Sequence, residues 1–178
     1  TLDVKNTGNL LDNIVLQPTL PPIGWGFQIY LDGSDMAPGT TRTAQVNISV
    51  PPNALVGDDA TLTIRAISQG NISVKDTLNL TTIVGIQRGV DILGSRLTGR
   101  ARPGETRDFM VQVINTGNLV DTYDLNLTDL NRPATVVLHN KTITIGPKMT
   151  ASTVVSVTTP LYALASSNVS VRLTATSS

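Results

Sequence analysis

Six Asn-x-Ser/Thr triplets, two pairs of aspartates and one histidine are the residues of this chain best placed to do chemistry. The triplets begin at Asn47, Asn71, Asn79, Asn126, Asn140 and Asn168. This is a modest excess over chance for 13 asparagines and 37 serines and threonines in 178 residues. In a secreted protein such triplets accept N-linked glycans, provided the asparagine faces solvent. Asp32 and Asp35 in "LDGSD" are calcium candidates, but Ca²⁺ takes about six to eight oxygens and this loop offers two carboxylates. Asp58 and Asp59 read more simply as turn residues. His139 in "TVVLHNKT" has neither a cysteine nor a carboxylate cluster in its neighbourhood of sequence, so a strand residue is expected rather than a metal ligand. No Gly-x-Ser-x-Gly occurs, so a serine hydrolase has no support. The sole tryptophan, Trp25, could stack on a sugar, but its spacing from Phe27 and Ile29 places it with a core face. No catalytic residue, cofactor or metal is expected.

Bulk properties narrow the class further. Thirteen basic and thirteen acidic residues leave no net charge, which lacks the electrostatic footprint of a nucleic-acid binder. Cysteine is absent, so disulfides and thiolate metal sites are excluded. The longest uncharged run, 149–171, is rich in Ser and Thr and carries Pro160. It is too polar for a membrane span. Glu105 is the single glutamate. A chain that leans on Thr, Val, Ile and Asn favours strands and turns over helices.

What positions these residues is a repeat. "NTGNL" occurs at 6–10 and again at 115–119. At the same shift of 109, with no gap, residues 1–69 align with residues 110–178. Asp12, Pro38, Thr41, Val46 and Pro51 fall on Asp121, Pro147, Thr150, Val155 and Pro160, and Ala54 and Leu55 fall on Ala163 and Leu164. The shift brings Lys141 and Thr144 onto Asp32 and Asp35, so any calcium site there would not be repeated. A tandem duplication of one module of ordinary domain size follows.

Within each copy the apolar period is two. Ala44, Val46, Ile48 and Val50 alternate with polar residues, as do Trp25, Phe27, Ile29 and Leu31, then Phe109, Val111 and Val113, and Tyr123, Leu125 and Leu127. Such alternation marks strands with one buried and one solvated face. The same parity turns Asn47, Asn79 and Asn126 outward. Short strands separated by Gly, Pro, Asn and Asp predict an all-β sandwich of about seven strands per copy. Asn-Thr-Gly-Asn lies where one strand ends and the next begins. Gly8 and Gly117 are expected to supply positive φ there.

The stretch "PGETRDFMVQVINTGNLVDTYDLNLT" resembles the immunoglobulin-like (Ig-like) modules of large prokaryotic surface proteins. These include the cell-adhesion-related (CARDB) domains and similar modules found beside α-galactosidases. The residues that carry the likeness are 103–105, 115–118, Tyr123, Pro38 with Gly39, Pro51 and 54–57. The second copy departs from the pattern at Lys148 and Ser166, where glycine would be expected. The resemblance implies two tandem immunoglobulin-like β-sandwich domains, extracellular and non-catalytic, on an archaeal or bacterial surface. Fold alone does not give function.

The domain boundaries expected are 1–85 and 86–178, joined near 83–89 by "IVGIQRG", with separate cores. Repeat phases 70–109 occur once, so the first domain is expected to lack its opening strand and the second its closing strand, and the 178 residues alone are not expected to be a self-sufficient monomer. Residues 1–84 hold four basic and seven acidic residues, and 85–178 hold nine and six. Arg88, Arg96, Arg100, Arg102 and Arg107 gather near the junction. Opposite signs favour neighbouring modules meeting head to tail. The function expected is a structural module of a repetitive, glycosylated surface layer, sheath, filament or adhesin stalk. Its partners would be copies of itself or neighbouring Ig-like modules and N-linked glycans, with no nucleic acid. The alternative is an accessory or carbohydrate-binding module of a secreted enzyme.

Overall fold

The structure, a computed structural model, describes residues 1–94, 98–129, 134–165 and 167–178. Among them the only regular elements are strands, fourteen in all, and every ladder is antiparallel. The chain folds as two compact units, Thr1–Gly85 and Ile86–Ser178.

The first unit contains β1 (Leu2–Lys5), β2 (Asp12–Pro18), β3 (Gly26–Leu31), β4 (Asp35–Met36), β5 (Thr41–Ser49), β6 (Asp59–Ser68) and β7 (Lys75–Ile83). They form two sheets, ordered β1-β5-β3 and β4-β2-β6-β7. Val4, Ile14 and Met36 are the buried centre, and Leu2, Leu16, Leu31 and Ala66 pack against them. These side chains come from both sheets, so the unit is sandwich-like, with each strand giving alternate residues to the core.

The second unit contains β8 (Val90–Gly94), β9 (Thr106–Asn115), β10 (Asp121–Asp129), β11 (Thr135–Leu138), β12 (Thr142–Ile145), β13 (Thr150–Thr158) and β14 (Val171–Ser177). Its sheets run β11-β13-β9-β8 and β12-β10-β14. Val113, Tyr123, Leu125 and Ile145 are its buried centre, backed by Val90, Leu138, Ile143, Ala151, Leu173 and Ala175.

The repeat read in the sequence is kept in the ladders. Leu2 pairs with Ala44, and Val111, 109 residues on, pairs with Thr153. Ile14 pairs with Ser68, and Tyr123 with Ser177. Asp12 pairs with Met36, and Asp121 with Ile145. Ile29 pairs with Val46, and Leu138 with Val155. A slip of one residue would turn a whole face outward, so a register common to four ladders means one module built twice. β7 and β8 are the strands outside this correspondence. The abundant threonine finds its use on the outer faces, where Thr61 meets Thr81, Thr106 meets Thr158 and Thr122 meets Thr144, hydroxyl to hydroxyl within 2.9 Å.

One turn is made differently in the two copies. Gly39 has φ of 75°, and Lys148, its counterpart, has φ of 59°. A side chain in this region costs roughly 1 kcal/mol or more. The lysine offsets part of that by donating its Nζ to the carbonyl of Thr116 at 2.7 Å.

Candidate functional site

The Asn-Thr-Gly-Asn corner is built from one buried amide. Asn115 is fully buried. Its Nδ2 donates to the carbonyls of Leu119 (2.8 Å) and Ile145 (3.0 Å), and its Oδ1 accepts the N–H of Gly117 (2.8 Å). Asn6 repeats the set: Nδ2 to the carbonyls of Leu10 (2.9 Å) and Met36 (2.8 Å), and Oδ1 from the N–H of Gly8 (2.8 Å). The chain leaves the sheet at this corner, so its backbone groups lose ladder partners, and the asparagine replaces them. The expectation of positive φ at Gly8 and Gly117 is wrong: neither glycine is in that region. Glycine is needed there for close approach. A Cβ on Gly8 would lie 3.1 Å from Asn6 Oδ1, and one on Gly117 would lie 3.0 Å from Asn115 Oδ1 and 2.5 Å from the Gln87 carbonyl.

That last contact shows what differs between the two corners. In the second unit residues 87–89 lie along the corner. Gln87 donates its N–H to Asn118 Oδ1 (2.8 Å) and accepts the Asn118 N–H (2.9 Å). The Gly89 carbonyl accepts the Thr116 N–H (2.9 Å) and the Tyr123 hydroxyl (2.9 Å). Arg88 donates to Asp121 Oδ1 (2.8 Å) and to Ser177 Oγ (3.2 Å), and Ser177 donates to Asp121 Oδ2 (2.8 Å). Burial acts to raise the Asp121 pKa, but the Ser177 hydroxyl, the Arg88 guanidinium and the Thr122 N–H outweigh it and hold the carboxyl below its ordinary value. Burial, with the Asp121 charge, pushes the Tyr123 phenol up. At the first corner Asp12 and Ser68 stand where Asp121 and Ser177 do. The Ser68 hydroxyl and the Gly70 N–H hold Asp12 below its ordinary pKa.

The candidate residues of the sequence fall in separate places. All six sequon asparagines are exposed. Asn47, Asn79 and Asn126 lie on β5, β7 and β10, and the other three lie in loops. Where Asn71, Asn79 and Asn140 bond Ser73, Thr63 and Thr153, the atom used is the carbonyl oxygen, which leaves the side-chain nitrogen out of these bonds. Asp32 and Asp35 are held by an arginine: Arg42 donates to both of their backbone carbonyls, and Asn13 donates to the Asp35 carboxylate (2.8 Å). Each of these two carbonyls therefore already accepts a hydrogen bond from the guanidinium. Trp25 is half-buried just before β3. Of the junction arginines, Arg88 pairs with Asp121 and Arg107 with Glu105, each at 2.8 Å. Arg96 lies outside the described residues.

One constellation is not legible in the sequence. His139 Nε2 is 2.8 Å from Ser156 Oγ, and Ser156 donates to Asp108 Oδ1 at 2.6 Å. The residues lie in or beside β9, β11 and β13, so only the register brings them together. The order is wrong for nucleophilic catalysis, in which the imidazole sits between hydroxyl and carboxylate. Here the hydroxyl sits in the middle, gives its proton to the carboxylate and accepts from the ring, on an exposed sheet face.

The chain matches no protein-family model, and no curated protein matches it.

Proposed function

We propose that this chain is a structural module of a repetitive extracellular protein. It consists of two tandem immunoglobulin-like sandwiches whose work is spacing and assembly, and it carries N-linked sugar. The observation that carries the proposal is the common register of four ladders at a shift of 109 residues. Repeating a whole module, corner bonds included, adds length and repeats whatever surface the module presents. The exposure of all six sequon asparagines supports the glycan half of the reading. So does their placement on solvated strand faces and loops, where a bulky sugar displaces no core contact.

Peptide mass spectrometry of the protein purified from its native cells tests this. Hexose-bearing or N-acetylhexosamine-bearing peptides that cover several of Asn47, Asn71, Asn79, Asn126, Asn140 and Asn168, recovered from large surface-derived assemblies, are the expected result. Six bare asparagines on a protein recovered from the cell interior would overturn it.

A further inference from the structure

Four of the Asn-x-Ser/Thr triplets show two backbone states. Asn47-Ile48-Ser49 lies in β5, its ends opposite Gln28 and Gly26. Asn79-Leu80-Thr81 lies in β7, opposite Thr63 and Thr61. Asn126-Leu127-Thr128 lies in β10, opposite Thr174 and Arg172. At Asn79 the side chains are tied across the ladder as well. Thr63 donates to its Oδ1 at 2.8 Å, and the Thr81 hydroxyl meets that of Thr61 at 2.9 Å. Asn71-Ile72-Ser73 is different, because it lies in the connection between β6 and β7, outside every ladder. The Val74 N–H donates back to the Asn71 carbonyl at 2.9 Å, so Asn71 opens a β-turn. The Ser73 N–H donates to Asn71 Oδ1 at 3.1 Å, which closes an Asx-turn over the same residues. The Asn71 N–H is held by Ser68 Oγ at 3.0 Å. Asn71, Ile72 and Ser73 are all exposed.

In N-glycosylation the asparagine Nδ2 attacks the anomeric carbon of a sugar carried on a lipid diphosphate. The N–C bond forms, the C–O bond to the diphosphate breaks, Nδ2 gives up one proton and the lipid diphosphate leaves. A transferase that accepts only Asn-x-Ser/Thr has to grip the amide and the third residue's hydroxyl at one place. In a strand these two side chains leave the backbone about 6.6–6.8 Å apart, and the backbone joining them is bonded to the neighbouring strand. To bend such a triplet, or to enclose it in a cleft, the ladder must first open. At Asn71 the chain is already bent and no ladder has to break.

We infer that the folded chain offers Asn71 to a transferase directly, whereas Asn47, Asn79 and Asn126 take sugar only before their strands pair. The modification is thereby ordered: the strand acceptors are used from the unfolded chain, and the turn between β6 and β7 at any stage. Opening a paired core strand costs up to the whole stability of the fold, while an exposed turn needs little opening.

This inference rests on the glycan half of the proposal above and deepens it. Bare asparagines in native material would overturn that half, whereas transfer in vitro reads the backbone geometry by itself. The test uses the 178-residue chain, its fold confirmed by dispersed amide chemical shifts, and free peptides of residues 44–52, 68–76, 76–84 and 122–129. Each is incubated with a single-subunit oligosaccharyl transferase that accepts the bare triplet and with a lipid-diphosphate-linked sugar. Peptide mass spectrometry gives the rate at each asparagine, and the free peptides set the rate of each triplet without a fold. Asn71 is expected to react in the folded chain within about a factor of two of its peptide. Asn47, Asn79 and Asn126 are expected to react roughly tenfold or more slowly than theirs. Suppression of Asn71 to the same degree as the strand acceptors would overturn the inference. So would strand acceptors that react as fast in the folded chain as in their peptides, or a 68–76 peptide that takes no sugar.

Discussion

Asn115 could not be an aspartate or an alanine and keep its corner. It donates to two backbone carbonyls and accepts from one N–H, all within a buried site. Alanine strands three backbone groups, and a carboxylate sets charge against two carbonyls. We therefore expect Asn115→Ala and Asn115→Asp each to destabilise the second unit by about 2–3 kcal/mol, and Asn6→Ala to do the same to the first, measured by denaturant unfolding. Lys148 offers the opposite sign. Glycine at 148 relieves the left-handed backbone of roughly 1 kcal/mol while losing an exposed bond to Thr116, so Lys148→Gly is expected to be neutral or stabilising by up to about 1 kcal/mol in the same measurement. Asp121 sets a pH dependence. Its folded pKa is depressed, so its pairing contributes fully above the unfolded value of about 3.9 and is lost as pH falls through the lower folded value. The melting temperature of Asp121→Asn should vary less with pH below about 4 than that of the native chain. Little of this residue-level detail was legible in the sequence. The repeated "NTGNL" marked the corners, but an asparagine that substitutes for lost ladder bonds looks the same in a string of letters as one that tolerates positive φ.

The strands themselves were largely legible, because burial on one face writes a period of two. β5, β9 and β10 have the alternation the sequence showed, and the outward parity of Asn47 and Asn126 follows from it, whereas on β7 both Asn79 and its neighbour Leu78 are exposed. Elements fixed by distant partners were not legible. β4 is two residues long and exists through its pairing with β2. The His139, Ser156 and Asp108 chain depends on the register of strands up to 48 residues apart. The Arg88 to Asp121 pair likewise spans 33 positions. The same distinction gives a prediction at the level of the element. Gly117 is crowded by the Gln87 backbone at 2.5 Å, whereas Gly8 meets only its own asparagine at 3.1 Å. Gly117→Ala should cost about 1–3 kcal/mol, and Gly8→Ala should cost clearly less, as read by the unfolding of each unit. Equal costs would mean that the segment over residues 116–118 contributes nothing to the tightness of its corner.

At the scale of the whole molecule, a repeated module supports the proposed extracellular, assembled role. The module is seen in the ladders. The role is a proposal that rests on repetition and on the exposure of the six asparagines that begin Asn-x-Ser/Thr triplets. Charge adds to it, since the two portions of the chain divided at residue 84 carry opposite sign, which favours association between unlike ends at low salt. The most direct single measurement is peptide mapping by mass spectrometry of the native protein, with cells fractionated into surface assemblies and interior beforehand. The account predicts that the chain is recovered in the assembled surface fraction with sugar on several of the six asparagines, Asn47, Asn79 and Asn126 on the open strand faces among them. Recovery of the chain from the interior, with all six asparagines unmodified, would contradict it.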